Sequence, residues 1–247
     1  MAAASRPDFD ELAERYDRLR PVDENWWELF ERLVDEGDLL GRRVLDVGCG
    51  TGAFAAALAQ RGAQVWGVDP SREMLARART KAGATVGLKQ GRAEALPFSD
   101  RWFERIVFRL VLHLVDRPVA LGEAARVLDR GGRVAIATFA PQHFESYWLN
   151  GFFPDILAID VERFPTPVRL DAELRAAGFG PARATTFRQS GRFVREDALE
   201  RIRGRFISTL RLLDEEAYAT GLARAERELP EVVEVATDWA LVTADRR

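Results

Sequence analysis

The sequence predicts an α/β protein with a doubly wound, mostly parallel sheet of seven strands and helices on both of its faces. Three observations lead to this fold class. Short apolar runs alternate with helical patterns between Val44 and Thr138, and Gly62 and Gly83 stand where intervening helices should end. The composition, 47% apolar and 30% charged residues, suits one large core under a charged surface. Such alternation implies right-handed crossovers between parallel strands.

Hydrophobic periodicity places the individual elements. Two helices come first, over residues 9–19, with Asp8 and Glu11 as a capping box, and over residues 26–37. The strands are predicted at 44–47, 64–68, 85–89, 105–108, 134–138, 182–187 and 235–242. The later helices are predicted at 53–61, 72–82, 119–128, 171–177, 197–213 and 215–229. Gly131 and Gly132 are predicted to form a turn, and an irregular aromatic segment follows Phe139.

Charge and composition argue against several classes of protein. A net charge of -3 gives no general attraction to nucleic acid, and no apolar stretch approaches the ~20 residues that span a bilayer. The first five residues do not resemble a signal peptide, and the single cysteine, Cys49, cannot form an internal disulfide, so we expect a cytoplasmic protein. Arginines cluster between residues 183 and 211. We interpret them as a solvated face balanced by nearby acids, with RNA contact as the alternative.

A glycine-rich loop is the first candidate site. The run VLDVGCGTG, residues 44–52, passes from a buried strand through a turn into a helix. Glycine at Gly48, Gly50 and Gly52 permits positive φ and lets a ligand approach the backbone closely. The helix that follows presents unpaired N–H groups, which suit a carboxylate or a phosphate.

Two aspartates narrow the choice of ligand. Asp46, just ahead of the glycines, would repel the pyrophosphate of a dinucleotide but would suit an ammonium or sulfonium group beside a carboxylate. Asp69 ends the next strand, where an acid about 20 residues past the glycines can accept hydrogen bonds from ribose hydroxyls. Together the two acids predict a site for a nucleoside that is joined to an amino acid.

These motifs resemble those of the class I S-adenosylmethionine-dependent methyltransferases. VLDVGCGTG looks like their first motif, VWGVDPSREML (65–75) like the second and GRAEALPFSD (91–100) like the third. The resemblance continues through residues 101–116 and 125–139. FDELAERYDRLRP, FFPDI and LRAAGF are similar to segments of the methyltransferase type 11 group, which includes quinone-biosynthesis-type enzymes. The resemblance implies a Rossmann-like sheet, S-adenosylmethionine as cofactor and S-adenosylhomocysteine as product.

The resemblance also implies roles for particular residues. The cofactor would be bound by Tyr16, Arg20, Asp46, Gly48, Gly50, Asp69, Pro70, Met74, Ala93, Glu94 and Arg109. Gly48 and Gly50 would contact its methionine part, Asp69 its ribose and Met74 its adenine. Ala93 and Glu94 would lie beside the adenine edge, the backbone of Arg109 near the ammonium, and Tyr16 and Arg20 would close over the cofactor. The sequence departs from the commoner pattern at Arg109, where a small polar residue is usual, and at Leu114, where a second histidine often lies.

Methyl transfer by direct in-line displacement requires mainly the positioning of the acceptor, so a dedicated base is not essential. Where the acceptor must lose a proton, His113 is the first candidate base and Tyr16 the second. The alternative for His113 is a satisfied core histidine. Cys49 lies between two glycines of the loop and is interpreted as a small buried filler, and no metal-ligand spacing is recognisable.

We expect one domain over residues 1–247, with N-terminal lid helices (1–40), a cofactor-binding core (41–139) and acceptor-side insertions (140–170 and 188–230). The aromatic residues Phe144, Tyr147, Trp148, Phe152 and Phe153 line an acceptor pocket or fill a core. The expected partner is a partly hydrophobic small-molecule acceptor, with no nucleic acid and no membrane, bound by a monomer or homodimer. Three alternatives remain open at this point: an RNA methyltransferase, a non-catalytic cofactor-binding subunit and an NAD-dependent oxidoreductase, although the last lacks the GxGxxG spacing.

Overall fold

A computed structural model describes residues 10 and 12–247 of the chain. Across these residues one seven-stranded sheet runs in the order β3-β2-β1-β4-β5-β7-β6. The strands β1 to β5 pair in parallel, β7 is antiparallel to β5, and β6 is antiparallel to β7. The strands are β1 (Arg43–Val47), β2 (Gln64–Asp69), β3 (Val86–Gln90), β4 (Phe103–Arg109), β5 (Leu128–Phe139), β6 (Arg183–Val194) and β7 (Val232–Asp245). The predicted fold class is confirmed.

Helices cover both faces of this sheet. They are α1 (Tyr16–Leu19), α2 (Glu24–Gly37), α3 (Ala53–Gln60), α4 (Arg72–Ala82), α5 (Arg117–Val127), α6 (Pro141–Glu145), α7 (Asp155–Arg163), α8 (Pro167–Ala176), α9 (Arg195–Arg203) and α10 (Glu215–Glu228). One core packs α2 and α3 against the sheet, and a second packs α5 and α8 against the opposite face. Burial of these apolar faces is the main source of stability.

The N-terminal segment divides into two parts with different packing. Helix α2 buries Leu29, Phe30, Leu33 and Val34 in a sheet core, so it is a covering helix and not part of a lid over residues 1–40. Within the described residues, the first predicted helix is helical only over α1, after turns at 12–15. Its proposed capping box, Asp8 and Glu11, lies outside the described residues.

Side-chain caps explain where several helices begin. Asp23, Ser71, Asp116, Thr166 and Asp214 each accept a hydrogen bond from a backbone N–H of the first turn that follows. The prediction for α8 began too late, at residue 171, because it overlooked the Thr166 cap and Pro167 in the first turn. Helix α7 was not predicted, because Pro154 was interpreted as a breaker, whereas it immediately precedes the helix.

The single helix predicted over 197–213 is wrong. Helix α9 ends at Arg203, and a short 3-10 turn follows at Ser208–Arg211. The break lies at Gly204 and Arg205, where Arg205 has a φ of 45°. A Cβ atom on Gly204 would approach Leu19 Cδ1 to 2.8 Å, so this glycine allows α1 to pack closely. The helix therefore ends where the chain packs against the N-terminal segment.

Strands β5 and β6 are longer than the sequence indicated. Strand β6 continues through Val194, so the beginning of the expected insertion at 188–230 lies in the sheet. Strand β5 includes the glycines that were predicted as a turn, with Gly131 at a φ of 71° and a pairing irregularity between Phe103 and Arg105. These features are typical of a β-bulge.

A third apolar core lies outside the sheet. It joins residues from 149–156, α9, the 3-10 turn at Ser208–Arg211 and α10, and Val233 connects it to β7. This core assembles both acceptor-side segments into one unit beside the sheet. Within residues 10 and 12–247 we find no helix with the length and apolar character that crossing a bilayer requires.

Candidate active site

The candidate site lies at the carboxyl ends of β2, β1 and β4, which are neighbours in the sheet. The loop after β1 carries the glycines, Asp69 ends β2, and Arg109 ends β4. Ligands of open α/β sheets bind at this edge, outside the carboxyl ends of the strands. The topology therefore brings the three sequence motifs together.

Glycine is required at the three positions of the loop for different structural reasons. All have positive φ, 71° at Gly48, 54° at Gly50 and 77° at Gly52. A Cβ atom on Gly48 would lie 2.5 Å from Val111 Cγ2, and one on Gly52 would lie 2.8 Å from Ala78 Cβ. A Cβ atom on Gly50 would meet no described atom within 4 Å. Gly48 and Gly52 thus permit packing of the protein itself, whereas Gly50 leaves room beside the backbone.

Asp69 is anchored by the backbone. Its Oδ2 accepts a hydrogen bond from Gly50 N at 2.9 Å, and its Oδ1 accepts one from Ser71 N at 2.9 Å. Burial raises the pKa of this carboxyl, opposed by the two backbone hydrogen bonds, and the charge of Asp10 raises it further. Each oxygen retains a second lone pair, which could accept a hydroxyl hydrogen bond. Pro70, the next residue, is exposed.

Asp46 is a buried carboxyl without a full set of partners. Only 2% of its surface is exposed, and its Oδ2 makes no hydrogen bond with the residues that the structure describes. Burial raises its pKa to about 7, the charge of Arg109 opposes this, and Asp69 adds to it. An orphaned buried acceptor is costly, so the site is suited to a donor or cation supplied from outside the chain.

Arg109 lies on the inner side of the loop. Its guanidinium carbon is 5.8 Å from the ring centroid of Phe54 and 5.9 Å from that of Trp26. Leu110, the next residue, has a φ of 55°, which turns the chain sharply after β4. The arginine is therefore accommodated by two aromatic rings, while its charge acts on Asp46.

Residues predicted for the adenine side lie after β2 and β3. Met74 is buried on α4, and its N–H donates to the Ser71 cap at 3.0 Å. Ala93 is buried, and Glu94 accepts a hydrogen bond from Asp116 N at 3.1 Å. The link from Glu94 to the start of α5 was not evident from the sequence.

The N-terminal segment lies across the glycine loop. Asp17 accepts a hydrogen bond from Thr51 Oγ1 at 2.6 Å and forms an ion pair with Lys81 Nζ at 2.9 Å. Further along, Arg20 Nη2 donates to Phe206 O at 2.9 Å, and its guanidinium carbon is 5.5 Å from the half-buried Tyr16 ring. The sequence analysis named Tyr16 and Arg20 as candidates but did not predict the contacts of Asp17 with Thr51 and Lys81, which we call the latch.

His113 follows β4 on the acceptor side. Its ring stacks on Phe164 with centroids 3.9 Å apart, and its Nε2 lies 3.4 Å from Ser208 Oγ. Burial lowers the pKa of His113 well below its ordinary range, and the charges of Arg163 and Arg20 lower it further. The imidazole is therefore neutral near pH 7.

The aromatic residues of the segment after Phe139 pack in two separate places. Phe153 is fully buried and stacks on Tyr218 in the third core, so it is a packing residue. Phe144 and Phe139 instead surround Phe164, with centroids 5.0 and 5.4 Å from it. This second group extends the apolar wall behind His113.

Cys49 is also a packing residue. It is buried, and burial raises the pKa of its thiol well above the ordinary range, which leaves it protonated. In the part of the chain that the structure describes, no three His, Cys, Asp or Glu side chains group as they would around a metal ion.

Comparison with known proteins identifies the family. A model described as a methyltransferase domain matches residues 45–136. A demethylmenaquinone methyltransferase from Thermus thermophilus is 34% identical over an alignment 202 residues long, and the match covers 69% of this chain and 90% of that protein. A second demethylmenaquinone methyltransferase, from Deinococcus radiodurans, is 34% identical, and the match covers 75% of this chain and 89% of that protein. The chain belongs to the S-adenosylmethionine-dependent methyltransferases.

Solved structures share the fold of this methyltransferase. The YcgJ protein from Bacillus subtilis is 23% identical, has a TM-score of 0.63 and covers 90% of this chain and 99% of its own. The [4+2]-cyclase SpnF is 19% identical, has a TM-score of 0.59 and covers 99% of each chain. Identity this low shows the fold alone, and the second example shows that the fold also accommodates other chemistry.

The acceptor side of this methyltransferase contains residues that sequence reasoning missed. Arg163 Nη1 donates to Thr209 Oγ1 at 3.1 Å, and its Nη2 donates to Ser208 Oγ at 3.0 Å. Thr209 in turn donates to Asp160. These residues belong to no family motif, and their only sequence signal is the polar character of residues within otherwise apolar segments. The family model ends before them, at residue 136.

Proposed function

We propose that this methyltransferase transfers the methyl group of S-adenosylmethionine to a small-molecule acceptor by direct in-line displacement, with S-adenosylhomocysteine as the product. The observation that carries the proposal is the buried carboxyl of Asp46, whose Oδ2 has no hydrogen-bond partner among the described residues, together with the open space at Gly50 four residues further along the chain. A ligand with an ammonium group beside a carboxylate satisfies both features. A dinucleotide pyrophosphate would place negative charge against Asp46.

The residues of the site fit the cofactor. Gly48, Gly50 and Asp46 would hold its methionine part, and Asp69 would accept its ribose hydroxyls. The adenine end would lie against Met74, Ala93 and Glu94, with Pro70 beside it, and Tyr16, Arg20 and the backbone of Arg109 would complete the enclosure. When bound, the cofactor supplies an activated sulfonium methyl group.

The chain's own residues would position the acceptor and exclude water. Fixing two reactants in the correct geometry can contribute ~7–11 kcal/mol to lowering a barrier. Neutral His113 has a lone pair for a proton, although its lowered pKa makes it a weak base, and Tyr16 is the second candidate base on the N-terminal side.

Several contacts support a small molecule over RNA as the acceptor. Arg203 pairs with Glu196 and Glu226 at 2.9 Å, and Arg205 pairs with Glu215 at 2.6 Å. Such pairs leave little unbalanced positive charge for a phosphate backbone. The relatives' name, demethylmenaquinone methyltransferase, refers to a partly hydrophobic small molecule and supports the same class of acceptor.

Calorimetry tests the cofactor part of this proposal. Purified protein should bind S-adenosylmethionine and S-adenosylhomocysteine but not NAD, because only the first two carry an amino-acid ammonium group toward Asp46. Preferential binding of NAD would contradict the proposal. The acceptor part is tested by mass spectrometry of small-molecule extracts, where a product heavier by one methylene should appear only when S-adenosylmethionine is added.

A further inference from the structure

Three arginines converge on the acceptor side from distant parts of the chain. Arg20 follows α1, Arg163 ends α7, and Arg201 lies on α9. The charges of Arg163 and Arg20 act on the pKa of His113, and those of Arg20 and Arg201 act on the pKa of Tyr147. Hydrogen bonds connect the same side chains: Arg201 donates to Leu19 O, Arg20 donates to Phe206 O, and Arg163 donates to Ser208 Oγ, which lies 3.4 Å from His113 Nε2.

Asp160 supplies negative charge for only one of these arginines. It lies 3.6 Å from Arg163 Nη1 and accepts a hydrogen bond from Thr209. Arg163 is further fixed by the hydroxyls of Ser208 and Thr209. Burial raises the pKa of Asp160 to about 6, which the Thr209 hydrogen bond and the Arg163 charge oppose. Arg163 is therefore a neutralised, structurally fixed member of the cluster.

Arg20 and Arg201 have no such compensation. Among the described residues, neither has a carboxylate oxygen within 4.0 Å. Arg20 donates to Phe206 O, and Arg201 Nη1 donates to Leu19 O at 3.2 Å. Arg201 Nε is buried without a hydrogen-bond partner in the described chain. A charged donor in this condition is costly unless a ligand completes its bonding.

The acids nearest Arg201 do not fill this role. Asp23 and Asp197 are exposed, and Glu200 is half-buried and pairs with Arg18 at 3.0 Å. Burial lowers the pKa of Arg201 in spite of the opposing charges of these three acids. Arg201 is therefore a half-buried guanidinium group with acids nearby but no carboxylate in contact with it.

Aromatic surfaces lie beside the same arginines. Phe193 is 4.2 Å from the guanidinium carbon of Arg201, measured to its ring centroid, and Tyr16 lies beside Arg20. Phe164 stacks on His113. A ligand bound here would meet flat apolar rings as well as positive charge, and guanidinium groups bind carboxylates and phosphates through paired N–H donors.

We propose that the methyl acceptor carries an oxyanion, a carboxylate or a phosphate, on an apolar or aromatic body, and that Arg201 binds this oxyanion together with Arg20, which also closes over the cofactor. Arg163 maintains the positive region and the Ser208–Thr209 turn, and the rings of Phe164 and Tyr16 contact the body of the acceptor. This proposal rests on the proposed function, since it names the class of acceptor for the same site.

Calorimetry with three matched probes tests the oxyanion preference. Protein saturated with S-adenosylhomocysteine is titrated with naphthalene carboxylate, naphthyl phosphate and the neutral naphthalene carboxamide. At least one anionic probe should bind about tenfold or more tightly than the amide, because charge-assisted hydrogen bonds form only with the anions. The tighter of the two anions identifies the oxyanion. Equal binding of all three probes would overturn the proposal.

Variants on α9 show whether Arg201 is responsible. Arg201→Gln should abolish the preference for the anionic probe, and Arg201→Lys should retain part of it because the charge remains. Arg203→Gln is the matched control, since it removes the same charge from the exposed side of α9, where Arg203 pairs with Glu196 and Glu226. An equal loss in Arg203→Gln would mean that general electrostatics causes the preference, which would overturn the proposal.

The first titration separates this inference from the proposed function. If wild-type protein fails to bind S-adenosylhomocysteine, the proposed function fails. If it binds S-adenosylhomocysteine but does not distinguish the anionic probes from the amide, only the assignment of an oxyanion-bearing acceptor fails. Binding of S-adenosylhomocysteine by Arg201→Gln also shows that this variant is folded.

Discussion

The cofactor loop and the acceptor-side arginine cluster adjoin one another but are built differently. In the loop, positive φ at three glycines and two backbone hydrogen bonds to Asp69 define the shape. In the cluster, the side chains of Arg20 after α1, Arg163 on α7 and Arg201 on α9 donate to carbonyl or hydroxyl oxygens of other segments. The loop is thus a short-range backbone structure, whereas the cluster is a long-range side-chain structure.

This difference has a consequence for substitution. The cofactor loop should tolerate few substitutions, because its backbone geometry requires glycine at each of the three positions. In the arginine cluster, single substitutions can change the chemistry of the site without changing the backbone. The following predictions test this difference, from the largest expected effect to the smallest.

Gly48 and Gly50 should separate stability from binding within the loop. Gly48→Ala adds a Cβ atom 2.5 Å from Val111 Cγ2 at positive φ, so it should cost up to about 5 kcal/mol of unfolding free energy. Gly50→Ala meets no neighbour, so it should cost only about 1–2 kcal/mol while weakening S-adenosylhomocysteine binding. Thermal unfolding and calorimetry measure the two effects. Intact binding by Gly50→Ala would contradict the assigned role of this glycine.

Asp46 should make the stability of the ligand-free protein depend on pH. Its pKa is about 7 in the fold against an ordinary value of 3.8, so the folded protein keeps a proton that the unfolded chain releases between these values. The unfolding free energy should therefore fall as pH rises from about 4 to about 7, by up to about 4 kcal/mol. Asp46→Asn should flatten this dependence in urea unfolding series at several pH values. An unchanged slope in the variant would show that another group causes it.

Asp69 should link cofactor affinity to loop stability. Asp69→Ala should weaken S-adenosylhomocysteine binding by about 1–3 kcal/mol and should also destabilise the loop, because the N–H groups of Gly50 and Ser71 lose their acceptor. Asp69→Asn is the control, since it retains one acceptor oxygen. Calorimetry and thermal unfolding together test this. Global unfolding of Asp69→Ala would make the residue chiefly structural.

The latch of the N-terminal segment should give the smallest effect. Asp17→Asn weakens the contacts with Thr51 and Lys81, and an exposed pair of this kind contributes at most about 1 kcal/mol. Stability should hardly change, but hydrogen exchange of residues 12–20 should slow less on cofactor binding than in wild type. Identical protection in both proteins would show that the latch does not hold the segment.

The two sides of the site also differ in how well the sequence predicted them. Gly48, Asp46 and Asp69 could be named as candidates because close spacing and strand ends place them near one another. Arg201 and Arg163 were missed as a cluster because their neighbours are remote in sequence: Arg201 bonds to a carbonyl 182 positions away. The break after Arg203 was missed for the same reason, since it is explained by contact with Leu19 and not by local propensity.

The pairing of β6 with β7 brings the two ends of the segment 195–231 together. Val194 and Val232, the last paired residues, are direct partners, and Arg195 N donates to Glu231 O at 2.9 Å just beyond them. The chain therefore leaves the sheet after Val194 and returns to it at Val232, directly opposite. Residues 195–231 form a module whose two ends are adjacent. Recombination between related genes could exchange such a module, together with its packing partners at 149–156, without rerouting the polypeptide. A new acceptor preference could then arise while the cofactor-binding core stays unchanged.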